Sequence, residues 1–203
     1  AGDTATCRTG LLNGAEPDED TRFDLQGRLV AQLTQNMNFV LDMGVMEFLR
    51  THALSREVPD PEAAAARVFA AANELAGESF AGDTQLTQLS GGQSRALMIA
   101  DTALLSWSPV LLIDEIENAG VDKRKALDLL LASDKIIVMA THDPVLALAA
   151  DRRLVFEQGS VAAVLARTPA EDTLLARLED MERHRYDVRE ARRKGADMSP
   201  WII

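Results

Sequence analysis

The sequence predicts an α/β fold, a mainly parallel sheet flanked by helices, with a helical subdomain inserted into it. Three observations predict it. Short unbroken apolar runs, Val110 to Ile113 and Ile136 to Ala140, alternate with helical segments, the pattern of parallel strands buried on both faces. Each run stops at polar residues, Asp114-Glu115 in one case and Thr141-His142-Asp143 in the other. Open parallel sheets hold their ligands at that end of the strands. Finally, the stretch between an earlier apolar run, Arg28 to Thr34, and Val110 reads as helix and loop.

The elements follow in order. Cys7 to Leu12 reads as a short strand before an Asn13-Gly14 turn. Arg28 to Thr34 reads as a buried strand, and Asn36 to Arg50 as a Met- and Phe-containing stretch that is helical in its second half. Asp60-Pro61-Glu62 is a helix start, with Asp as N-cap, Pro at the first helical position and an acid in the first turn. Val68, Ala72 and Leu75 recur at helical spacing, and Gly77 is placed to close that helix. A loop from Glu78 to Gln88 leads into Leu89-Ser90-Gly91-Gly92-Gln93 and a helix from Ser94 to Leu105, so the helical subdomain covers about 36–105. Lys123 to Leu131 and Val145 to Ala150 read as helices. Leu154 to Glu157 and Ser160 to Val164 flank Gln158-Gly159 as a hairpin.

Beyond Pro169 a charged helix runs to about Lys194, supported by the pairs Glu179–Arg183 and Glu190–Lys194. Eight acids and seven bases between Glu171 and Asp197 leave a thin apolar stripe of Leu174, Leu178, Met181 and Val188. The chain therefore divides into a main domain, 1–168, and a charged C-terminal helical extension, 169–203.

Composition excludes several function classes. The net charge of −11 argues against broad nucleic-acid binding, and no stable nucleic-acid binding is expected. The single cysteine, Cys7, rules out a disulfide framework and a cysteine-based zinc site. The longest apolar runs, such as Val145 to Ala150, have six residues, too few to span a bilayer. The expected location is the cytoplasm, or a peripheral position on the cytoplasmic face of a membrane.

Four constellations carry chemistry. Leu89-Ser90-Gly91-Gly92-Gln93 opens a helix, where glycines admit a close ligand and free N–H groups favour phosphate. Val110 to Ile113 delivers Asp114 and Glu115 at a strand end, one carboxylate suited to Mg²⁺ and the next to activating a water for attack on phosphorus. His142 follows the adjacent strand and can donate to a γ-phosphate. Gln35 stands just past the strand Arg28 to Thr34, where an amide can contact Mg²⁺ and water; Gln32 is a competing candidate.

Taken in order, these motifs resemble the ATP-binding-cassette (ABC) ATPase family. Ser90 and Asp114 are 24 residues apart, and Gln35 and Leu89 are 54 apart, both similar to the family's spacing. The resemblance covers roughly residues 1–165, with LSGGQ as the signature motif, Asp114-Glu115 as Walker B, and Gln35 and His142 as the Q-loop and H-loop residues. It implies the P-loop NTPase fold of the ABC ATPase type, ATP and Mg²⁺ as cofactors, and ATP hydrolysis. It also implies a head-to-tail dimer with a second ABC ATPase domain. There Leu89, Ser90, Gly91, Gly92 and Gln93 of one copy would cover the γ-phosphate bound by the other. Asp114 would position Mg²⁺, Glu115 polarise water, His142 bind the γ-phosphate, and Gln35 sense Mg²⁺. Asp122 best matches the closing Asp of the D-loop. The implied partner is a membrane permease, faced by the Asn36 to Arg50 region unless that stretch packs in the core, and the implied role is to power a transporter. The alternative is a soluble ABC-type ATPase that remodels or activates a protein or acts on nucleic acid.

The sequence also departs from the family pattern. Ile116 stands where Pro is usual, and Glu117 to Asp122 (ENAGVD) replaces a SALD-like D-loop. Only 27 residues separate Glu115 from His142, and Ala100-Asp101-Thr102-Ala103 stands where Ala-Arg-Ala is common. No GxxxxGK[ST] occurs in the 203 residues, and the chain opens without Met. The expectation is a piece of a longer polypeptide, truncated just after the P-loop and inactive by itself.

Overall fold

Three parallel strands carry the expected ligand edge: β1 (Val30–Leu33), β2 (Val110–Asp114) and β3 (Ile136–Ala140), in the order β1-β2-β3. The computed structural model describes residues 29–34, 38–116 and 120–197, and the side chain of Glu190 is not among what it describes. The strand expected at Cys7 to Leu12 and the Q-loop residue Gln35 lie outside the described residues. Val30 aligns with Val110, and Val110 in turn with Ile136. The three strands therefore end on one edge, at Leu33, Asp114 and Ala140.

Burial on both faces holds only in part. In β2, Leu111 and Ile113 project to one face and are buried, whereas Val110 and Leu112 on the other face are only partly covered. In β3, Ile136 and Val138 are exposed. Ile136 and Val138 align with Val110 and Leu112, so among the described residues the face that these four share is not covered as the sequence pattern suggested.

Between β1 and β2 the chain forms three helices, α1 (Val45–Ser55), α2 (Pro61–Leu75) and α3 (Gly91–Leu105), with a 3₁₀ turn at Leu86–Gln88. α2 begins as its sequence dictates: Asp60 Oδ1 accepts from the Ala63 N–H at 3.0 Å, with Pro61 in the first turn. Its inward face is Ala64, Ala65, Val68, Ala72 and Leu75, all buried, against Val45, Leu49 and Ala53 of α1. The alanines let neighbouring backbones approach closely. Gly77 does not close α2. The helix stops at Leu75 because the Leu75 carbonyl accepts from the Asp122 N–H at 2.9 Å and Ala76 forms an antiparallel bridge with Val121.

α3 is buried around most of its circumference, by Ser94, Ala96, Leu97, Ile99, Ala100, Asp101, Ala103 and Leu105. It lies against α1, α2, β1 and α4 (Lys123–Leu131). Asp101, the departure in this helix, is a tertiary link. Its Oδ1 lies 2.8 Å from His52 Nδ1, while Arg56 Nε donates to His52 Nε2 at 3.1 Å. With Nε2 accepting, the imidazole proton sits on Nδ1 and points at Asp101. A buried carboxylate thus fastens α3 to α1.

The described residues form two compact units that divide between Ala140 and Thr141. The second contains α5 (Pro144–Ala149), the antiparallel hairpin β4 (Arg152–Glu157) and β5 (Ser160–Ala166), and α6 (Pro169–Arg193). Gln158 and Gly159 have φ of 48° and 81°, the two left-handed residues that a tight hairpin turn needs. The stripe of α6 differs from the one read in sequence: Leu174 and Met181 are exposed, and Leu175, Leu178 and Val188 are partly covered. Arg183 pairs with Asp180 at 3.5 Å rather than with Glu179.

Glu171 joins the hairpin to α6. It pairs with Arg153 of β4 and accepts from the Thr168 N–H at 2.8 Å. The Arg153 guanidinium first, and then the Thr168 N–H, hold its carboxyl below the ordinary glutamate value of 4.5. A carboxyl depressed in the folded state contributes stability above its unfolded value and loses it as pH falls through the folded one. Glu171→Gln should therefore lower the melting temperature at pH 7. The gap from the parent should narrow steadily below about pH 4.5. Thermal melts across that range check this; a gap independent of pH would remove the charge from the account.

Candidate functional site

The signature segment folds as a capped helix start. Ser90 is the N-cap of α3: its Oγ accepts from the Gln93 N–H at 3.3 Å, and Gln93 Oε1 accepts from the Ser90 N–H at 2.9 Å. This is a reciprocal capping box. Gln93 Nε2 also donates to the Glu78 carbonyl at 3.2 Å, anchoring the preceding loop. Gln93 is thus committed to holding the turn. The Ser90 hydroxyl, having accepted one N–H, keeps its own proton to donate. Ser90 and Gly91 are exposed, and a Cβ at Gly91 would meet nothing within 4 Å. Leu89 and Gly92 are half-buried beneath them. The result is an outward-facing helix N-terminus with a bare backbone, a surface suited to phosphate oxygens.

At the end of β2, Asp114 is exposed and Glu115 half-buried. Glu115 has φ of 48°, the left-handed region that disfavours non-glycine residues by about 1–3 kcal/mol. Its N–H donates to the Ala140 carbonyl at 3.0 Å, and its carbonyl accepts from Arg95 Nη1 of α3 at 3.2 Å. The next residue, Ile116, is 1% exposed. The departure from Pro at this position therefore supplies a core side chain. Leu33, Thr34, Arg95, Ile113, Asp114 and Ile116 line a shallow pocket at the ends of β1 and β2. Sequence reasoning missed Arg95; the available signal was its place two residues after the signature on the same helix.

Asp122 caps α4, with Oδ1 accepting from the Arg124 and Lys125 N–H groups, each at 3.2 Å. Residues 117–119 lie outside the described set, but Gly120 has φ of 66°, and a Cβ there would lie 3.9 Å from the Gly92 Cα. Gly120 thus lies beside Gly92 of the signature. In the second unit, His142 is exposed, two residues beyond the end of β3 and directly before Asp143. Asp143 Oδ1 caps α5 by accepting from Val145 and Leu146 at 2.8 and 3.1 Å.

Among the described residues, no group of three or more His, Cys, Asp or Glu gathers to cage a metal ion. A lone exposed carboxylate, Asp114, at a strand end is instead the donor set that suits Mg²⁺, which is held mainly by phosphate oxygens and water. No helix among the described residues is long and apolar enough to cross a membrane.

A parallel-sheet domain with a phosphate-suited helix start and an acidic strand end fits the fold class of the P-loop nucleoside triphosphatases. The chain is 46% identical over 194 residues to the ABC transporter ATP-binding protein MJ0121 of Methanocaldococcus jannaschii, covering 96% of this chain and 74% of that protein. It belongs to the family of ABC transporter ATP-binding proteins. No family model matches it. Its fold is similar to that of the ATP-binding cassette MJ0796, solved as a dimer in a post-hydrolysis state bound to ADP and Pi, with a TM-score of 0.62 and 21% identity over 77% of this chain and 72% of that one. It is also similar to cbiO1 from Clostridium perfringens, part of the ABC transporter complex cbiONQ, with a TM-score of 0.54 and 20% identity over 89% and 70% of the two chains.

Ser90→Ala should remove the capping bond to Gln93 and cost about 1 kcal/mol of stability. The urea midpoint should fall with an unchanged slope. An unchanged midpoint would show that Gln93 and the burial of α3 hold the turn by themselves.

Proposed function

We propose that this chain is the ATP-binding subunit of an ABC system, hydrolyses ATP, and powers a membrane transporter. The observation that carries the proposal is a pairing within one compact unit. An open, glycine-started helix N-terminus at Ser90-Gly91 is built on the same helix that holds the acidic end of β2. The MJ0121 relative, an ABC transporter ATP-binding protein, supports the transporter reading, and the dimeric MJ0796 cassette supports pairing of two such domains.

In this reading Glu115 accepts a proton from a water as that water attacks the γ-phosphorus and ADP leaves. His142 donates to a γ-phosphate oxygen and Gln35 senses the metal. Asp114 holds Mg²⁺, which, when bound, neutralises charge on the phosphates. Ser90 and Gly91 supply donors to the nucleotide of a head-to-tail partner domain, backed by Leu89, Gly92 and Gln93. Asp122 anchors the D-loop beside them. The permease would meet the segment that carries Val40 and Leu41, 88% and 46% exposed, on the cytoplasmic face of the membrane. The ATPase domain is taken as 1–168, with its helical subdomain at about 36–105 and the charged extension at 169–203.

Three outcomes test this. The 203-residue chain carries no GxxxxGK[ST], so with Mg²⁺ and ATP it should show no turnover near the ordinary rate of about 1 s⁻¹. In a polypeptide that also carries the P-loop, Glu115→Gln should slow hydrolysis by about 10²–10⁴-fold while ATP binding persists. That variant should accumulate as an ATP-dependent dimer in size-exclusion chromatography. Adding Ser90→Arg should abolish the dimer, since its side chain would fill the open surface over Gly91. Wild-type turnover by Glu115→Gln would remove Glu115 from the chemistry, and a dimer that survives Ser90→Arg would sink the head-to-tail arrangement.

A further inference from the structure

We propose that Arg95 is a positioning residue: it holds the Glu115 peptide from α3 and so ties the signature helix of a subunit to that subunit's own base. The inference rests on the reading of Glu115 as the group that accepts the water's proton. It begins from backbone geometry. Glu115 sits at φ of 48° without being glycine, and such a conformation persists only where its surroundings over-determine it. Three restraints do so here. The N–H is held by Ala140 of β3 at 3.0 Å. The following side chain, Ile116, is locked in the core. The carbonyl is held by the Arg95 guanidinium at 3.2 Å. The last comes from α3, outside the strands and turn that carry Glu115.

The origin of that third restraint gives it a function. Arg95 stands five residues after Ser90, about 7.5 Å along the same helix axis at the usual rise per residue. α3 is enclosed on most sides, so it moves as a rod. Any shift that a phosphate imposes on the Ser90-Gly91 end reaches the Glu115 carbonyl through the Arg95 side chain. In a head-to-tail pair, Ser90 and Gly91 face nucleotide held by the partner, whereas Glu115 serves the nucleotide of its own subunit. Arg95 is therefore the link by which occupancy of one site sets the geometry of the base in the other. A base must lie within about 2.6–3.2 Å of its proton, and a misplacement of about 1 Å costs about 10²-fold. Releasing the carbonyl frees Glu115 to leave the left-handed region and swings its carboxylate away.

The test uses a polypeptide that carries a P-loop together with these 203 residues. Arg95→Met keeps the aliphatic reach and removes the donors. It should lower kcat by about 10–100-fold, leave KM within about twofold, and leave the ATP-dependent dimer intact. Arg95→Lys, which keeps a cationic donor, should recover part of that loss. On a Glu115→Gln background Arg95→Met should cost nothing more, because a residue that acts through the carboxylate has nothing left to position. Wild-type kcat in Arg95→Met overturns the proposal, as do losses that multiply in the double variant. Should Arg95→Met fail to fold, Arg95→Lys carries the same comparison: a partial loss that vanishes on the Glu115→Gln background supports the link, and a multiplying loss or none overturns it. A slow Glu115→Gln beside an unimpaired Arg95→Met defeats the role of Arg95 alone. A Glu115→Gln at wild-type turnover defeats the reading of Glu115 itself.

Discussion

Burial of α3 on most of its sides is the constraint on which the rest of the first unit depends. Ala96, Leu97, Ile99, Ala100 and Ala103 bury it against α1, α2, α4 and the sheet. Its N-terminus reaches the surface, where the Ser90–Gln93 capping box satisfies the first donors while Gly91 keeps the backbone bare. The phosphate-suited surface thus stands at the exposed end of a helix that the core holds.

The same helix also governs the acidic end of β2. A left-handed Glu115 is unfavourable by itself, and the structure sustains it with a hydrogen bond at each end and a buried neighbour. Two features that the family pattern marks as departures take on definite parts. Ile116, in place of Pro, is a core anchor below the turn. Asp101, in place of Arg, pairs with His52 and joins α1 to α3 in a partly buried network with Arg56.

Elsewhere, helix stops and loop paths follow tertiary contacts. α2 ends where Leu75 and Ala76 meet Val121 and Asp122, so the D-loop end and the helical layer are joined by backbone bonds. Asp122 then caps α4, so one short segment serves two helices. In the second unit the first turn of α6 is held to β4 through Glu171 and Arg153, and Arg167 pairs with Asp172 at 3.1 Å. The start of the C-terminal helix is accordingly part of the hairpin's own packing, although its later turns are mostly exposed.

Much of this was legible from residues alone. Asp60-Pro61 and the LSGGQ segment announce helix starts because their side chains act on backbone two or three residues away, and Gln158-Gly159 announces a hairpin for the same local reason. The order and spacing of LSGGQ, Asp114-Glu115 and His142 pointed to the family, since each is a short motif read from adjacent residues. What the tertiary structure alone decided is of longer range. It decided that α2 stops before Gly77, that Ile136 and Val138 of β3 are exposed, and that α6 covers Leu175 rather than Leu174. It alone revealed that Asp101 reaches His52 and that Arg95 reaches the Glu115 carbonyl. Each depends on a partner 20 to 49 residues away in the last two cases, or on which face another element covers. Local pattern carries no information about such contacts, because they are made only when the chain packs.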